Sequence, residues 1–181
     1  MSLKSRATAA LSALLLATAG LSLSAAAPAQ AAVDLVTCPL GTESTTYSPG
    51  LKYPATPAPN VSFNATGAVG PCVSLDLKHT SGAVSFTGSG PLNCLGGNSS
   101  GTGAIDWANA GAATTHFAFT GGLSLRPNGV TVLLLTGTVT SGDYAGHKLV
   151  ATITLLSTDI TACLSPSGLT SSSGPITITI V

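Results

Sequence analysis

From Val61 onward the chain alternates apolar and polar residues in short runs. Val61, Phe63 and Ala65 interleave with Ser62, Asn64 and Thr66. Val73, Leu75 and Leu77 interleave with Ser74, Asp76 and Lys78, and Val84 and Phe86 with Ser85 and Thr87. Phe117 and Phe119 alternate with His116 and Thr120, while Leu149, Ala151, Ile153 and Leu155 share one later face. A period of two places one side chain set on each face of a strand, so each run predicts a strand with its apolar face buried. Ile176, Ile178 and Ile180 predict a last strand. Val132-Leu133-Leu134-Leu135 is apolar on both faces and reads as the most buried strand.

Turn residues separate these runs. Thr80-Ser81-Gly82, Arg126-Pro127-Asn128-Gly129 and Ser141-Gly142-Asp143 carry the Pro, Asn, Asp and Gly that turns need. Turns this short join neighbours as hairpins, so the sheet is expected to be antiparallel. Gly121-Gly122 reads as a bulge. Residues 49–60 and 88–103 read as loops, and Ala104–Ala113 holds at most one helical turn. About nine to eleven strands result, with essentially no helix. The expected fold is an all-β antiparallel sandwich, with a closed β-barrel as the alternative.

The first thirty-one residues do not belong to this pattern. Lys4 and Arg6 precede an apolar run from Ala9 to Ala27, and Ala29-Gln30-Ala31 offers small residues for cleavage. This is the layout of a secretory signal peptide, leaving one secreted domain over residues 32–181. A membrane anchor and a lipid on Cys38 are the weaker readings, so no membrane insertion is expected after processing.

Charge is scarce: 7% of the chain is Asp, Glu, Lys or Arg, against ~25% in ordinary domains. Without Lys4 and Arg6, four basic residues face six acidic ones, a formal charge of −2. Nucleic acids and anionic membranes are captured by clustered Lys and Arg, which this chain lacks.

Cys38, Cys72, Cys94 and Cys163 are the four cysteines. None is at CxxC spacing and no histidine lies close in sequence, so a zinc site is not supported. Two structural disulfides are expected in an oxidising compartment. Three pairings are open, and Cys38–Cys72 with Cys94–Cys163 is preferred because it pins the N-terminal segment to the first hairpin. Trp107 is expected in the core rather than as a sugar-stacking platform.

Catalytic chemistry finds no foothold. There is no GxSxG elbow, no HExxH and no phosphate loop at Gly96–Gly101. Asp76, Asp106, Asp143 and Asp159 are available acids, but a list of parts is not a triad. His79, His116 and His147 lie far apart and read as surface residues, with Asp76 and Lys78 as a surface ion pair. The sequons at Asn60, Asn64 and Asn98 are short matches in a Ser/Thr-rich chain. No catalytic, cofactor-binding or metal residue is assigned.

Three stretches carry a resemblance: Cys38–Glu43 with Tyr47–Leu51, Gly137–His147, and Ala162-Cys163. Together they resemble a group of small secreted actinobacterial proteins, which implies secretion and a compact β domain and supplies no site. A looser, compositional likeness is to neocarzinostatin-type apoproteins, which hold a small apolar molecule in a cleft. Those proteins close short disulfide loops, unlike the widely spaced cysteines here. The expected role is a non-enzymatic secreted β domain working by surface contact with a protein or envelope surface. Carriage of a small apolar ligand or glycan is the alternative, and a secreted hydrolase the third.

Overall fold

In the computed structural model the described residues are 35–53, 57–125, 131–155 and 160–181. They form ten strands and one short helix: β1 (Val36–Cys38), β2 (Gly41–Leu51), β3 (Asn60–Val69), β4 (Val73–Ser74), β5 (Gly82–Asn93), β6 (Gly96–Trp107), β7 (Thr115–Leu125), β8 (Thr131–Ser141), β9 (Lys148–Leu155), α1 (Ile160–Leu164) and β10 (Leu169–Ile180). All pairings are antiparallel.

The sheet closes into an eight-stranded barrel, in the order β2-β3-β5-β6-β7-β8-β9-β10 and back to β2. The preferred sandwich is therefore corrected to its alternative. Each of these strands pairs with both neighbours, so no edge is left at which one sheet could end and a second begin. β10 makes the closure: Ser171–Pro175 pair with Thr46–Thr42 of β2, while Ile176–Ile180 pair with β9. Beyond β2, the same edge of β10 takes β1, which in turn carries the two-residue β4.

Interior positions alternate with exterior ones along every strand. The interior is apolar, with Phe63, Phe86, Phe117 and Phe119 in mutual contact at centroid distances of 6.0–6.4 Å. Glycines on facing strands make room for these rings. A Cβ on Gly88 would lie 2.7 Å from Phe63 Cζ, and one on Gly101 would lie 2.7 Å from Phe119 Cζ. The barrel is thus filled by side chains, as small barrels generally are.

Several expectations need correction. Residues 88–103 are not a loop: Gly88–Asn93 and Gly96–Gly103 are paired strand, turned at Asn93, whose Oδ1 accepts the amides of Leu95 and Gly96. β6 continues through Ala104–Trp107 instead of forming a helical turn. Gly121 and Gly122 pair regularly with Leu135 and Leu134; the β7 irregularity falls between His116 and Phe117. Of the β8 run, Leu133 and Leu135 are buried but Leu134 is exposed on the outer wall. The helix α1 was not anticipated. The turn at Arg126–Gly129 and the acid Asp159 lie outside the described residues.

Candidate functional site

One end of the barrel is closed by the connections β3–β5, β6–β7 and β8–β9. The disulfide Cys38–Cys72 ties β1 to the first of these, and Cys94–Cys163 ties the β5–β6 turn to α1. Two disulfides are the usage of an oxidising compartment. Among the described residues no helix is long and apolar enough to cross a membrane.

The β3–β5 connection is strand only over Val73–Ser74 and then turns, the Leu77 amide donating to the Ser74 carbonyl at 3.4 Å. Cys72 and Ser74 face inward and are buried, and Asp76 turns inward to bind His79. Val73, Leu75 and Leu77 face solvent at 74%, 71% and 78% exposure. The expectation that these three bury their side chains is overturned. The reason lies beneath them: the inward residues serve a polar centre, not an apolar one.

That centre is His79, which is 2% exposed instead of lying on the surface. Its Nδ1 lies 3.0 Å from Asp76 Oδ1 and its Nε2 lies 2.9 Å from Asp143 Oδ2. The Tyr144 oxygen stands 2.6 Å from Nδ1, and its hydroxyl donates to Asp76 Oδ2 at 3.4 Å. Asp143 Oδ2 also accepts the Ala113 amide at 2.7 Å. The ring stacks edge-on to Trp107 (4.8 Å between centroids) and against Tyr144 (4.6 Å). Trp107 Nε1 donates to Thr115 Oγ1, which donates to the Asp143 carbonyl.

The electrostatics follow from the geometry. Burial pushes Asp76 up, but hydrogen bonds from His79, Lys78 and Ser74 outweigh it and hold the carboxyl down to about 2. The His79 hydrogen bond likewise lowers Asp143. Burial, then the two neighbouring carboxylates, raises the Tyr144 phenol. Asp76 does not pair with the Lys78 side chain; it accepts that residue's backbone amide.

Among the described residues, both non-glycine residues with positive φ belong to this end: Leu77 at 60° and Tyr144 at 67°. A bulky non-glycine residue rarely adopts that conformation, and its surroundings must hold it there. The result is a braced platform, with the His79 network and a disulfide inside and three aliphatic side chains held outward.

This centre does not have the form of a hydrolytic triad. Ser74 Oγ accepts the backbone amide of His79 and bonds Asp76, while both ring nitrogens are committed to carboxylates. His116 on β7 and His147 in the β8–β9 connection are exposed, and no group of three His, Cys, Asp or Glu that suits a metal occurs among the described residues. Trp107 sits in the core at 8% exposure.

The barrel interior holds a second polar group. Glu43, Thr45, Tyr47, Ser99, Thr131 and Ser172 are buried. Thr45 donates to Glu43, and Tyr47 bonds Ser172. Burial raises the Glu43 carboxyl and pushes Tyr47 up to about 12. Among the described residues, Glu43 Oε1, Ser99 Oγ and Thr131 Oγ1 have no hydrogen-bond partner. Ser99 also lines a cavity of about 10 Å³, bounded further by Thr45, Tyr47, Phe63, Leu92 and Leu133, the space of roughly one water. The larger depressions, about 440 and 430 Å³, are open troughs on the outer wall, lined mainly by Thr, Ser and Gly.

Fold and platform define a disulfide-braced, up-and-down β-barrel with a filled interior. The chain matches no protein-family model, no curated protein and no solved structure.

Proposed function

We propose that this is a non-enzymatic, secreted β-barrel that acts by surface contact, in the medium or at the cell envelope. The single observation behind this reading is the outward row Val73, Leu75 and Leu77, each more than two-thirds exposed. Soluble proteins seldom hold adjacent aliphatic side chains in water unless something docks on them. A strained Leu77 and a buried histidine hydrogen-bonded to two carboxylates beneath the row argue that its outward pose is built, not incidental. Nucleic acid is not a fitting partner for so uncharged a wall.

The second reading, carriage of a small ligand, draws on the orphaned polar atoms around Glu43. The interior cavity that Ser99 lines is the size of a water, so an apolar cargo or a glycan needs a different opening of the barrel. Hydrolysis draws least support, since His79 is sealed from solvent and spent on two carboxylates.

Native mass spectrometry of the protein recovered from its host's medium tests the choice. Surface contact predicts the bare chain, four hydrogens lighter than its reduced form. An added mass that denaturation removes would make carriage the better reading.

A further inference from the structure

We infer that the Val73–Leu75–Leu77 row docks on the acyl region of a lipid surface. This rests on the surface-contact reading, names its partner, and departs from the sequence expectation of no membrane insertion only in that three side chains enter the surface while the barrel does not. Exposures of 71–78% leave nearly whole side chains available. The row has no aromatic and no arginine, the residues that anchor protein–protein interfaces. Its area, roughly 400–450 Å², is about half of the ~800 Å² per partner in a standard protein interface. A second copy of the chain, docked row to row, falls short by the same measure. Lipid imposes no such minimum, because each inserted methylene contributes on its own.

Attachment is apolar and shallow. It uses neither a spanning segment nor the clustered Lys and Arg that this chain lacks.

The rigidity of the platform suits this role. A flexible loop would fold its leucines back onto the barrel. Here the inward positions are taken by the Cys38–Cys72 bridge, Ser74 and the Asp76–His79 pair, so the outward residues have nowhere to turn.

The test is flotation of the protein recovered from culture medium with phosphatidylcholine vesicles. Three aliphatic side chains hold fewer carbons than a myristoyl chain, so the expected association constant is on the order of 10³–10⁴ M⁻¹. Vesicles at about 1 mM lipid then carry half or more of the protein. Leu75→Ser with Leu77→Ser lowers the constant by at least about tenfold, and the melting temperature does not move because both side chains are exposed. Leu134→Ser on the outer wall changes nothing. Raising salt from about 0.05 to 0.5 M leaves binding intact, since no charge carries it.

Absence of wild-type flotation overturns the inference, as does equal flotation of the double variant or release by salt. Sedimentation showing a row-dependent dimer without lipid would also overturn it, in favour of a second copy. Leu75→Trp gives an independent readout: its emission shifts to the blue on vesicles, and an unshifted spectrum counts against insertion. Loss of envelope binding by the serine variants, with no binding to vesicles, would leave surface contact standing and sink only the lipid partner.

Discussion

Replacing His79 with alanine removes the centre of the platform, and the cost can be worked from its contacts. Two hydrogen bonds to carboxylates are lost, at 3.0 and 2.9 Å. Each is worth about 1.5–3 kcal/mol when buried. Asp76 and Asp143 are themselves 40% and 35% exposed, so water takes over part of the loss. The ring's contacts with Trp107 and Tyr144 go as well. The expected loss is about 2–4 kcal/mol, or roughly 5–15 °C in Tm for a domain of this size. Urea unfolding followed by Trp107 fluorescence measures it, because Trp107 packs on the imidazole. The pH dependence has a defined sign. Both carboxyls are depressed in the folded state, so their contribution is complete above about pH 4 and is lost as pH falls toward about 2. The gap between wild type and His79→Ala should therefore narrow between pH 4 and pH 2. A loss below about 1 kcal/mol, or a gap that stays constant across that range, would refute the His79–carboxylate network as the brace.

Three further outcomes follow from the barrel. Cys94→Ser should cost about 4 kcal/mol by the chain-entropy estimate for a separation of 69 residues, read as a fall in the urea midpoint. Gly101→Ala should destabilise by at least about 1–3 kcal/mol, because a Cβ there would lie 2.0 Å from the Thr87 carbonyl oxygen and 2.7 Å from Phe119 Cζ; calorimetry measures it, with Thr87→Ala on the outer wall near neutral. Glu43 has a raised pKa, so its carboxyl favours the fold below the usual carboxylate range and disfavours it as pH rises through the folded value. Glu43→Gln should match wild type near pH 4 and exceed it at pH 8, and the reverse order in melting temperature would contradict the burial argument.

Much of the barrel was legible in the alternation of its strands. Phe63, Phe86, Phe117 and Ile153 were placed on buried faces, and they lie there. Closure was not legible, since it rests on Thr42–Thr46 meeting Ser171–Pro175 from the other end of the chain. The platform was the hardest to read. Periodicity reveals that residues 73–77 alternate, but it assigns the apolar set to the core by default. Here a buried histidine claims the polar set. Its partner Asp143 is 64 residues away, and no local pattern announces that meeting. Two signals were present in retrospect: Gly142, whose φ of 84° turns the chain at Asp143, and an aspartate three residues before His79.

The central claim is that the barrel works through Val73, Leu75 and Leu77. The most direct measurement is the fraction of protein retained on washed host cells after secretion, compared between wild type and Leu75→Ser with Leu77→Ser at equal expression. The account predicts substantial retention of wild type and loss of most of it in the variant, with the variant folded and recovered from the medium. Equal partition of the two proteins between cells and medium would contradict it.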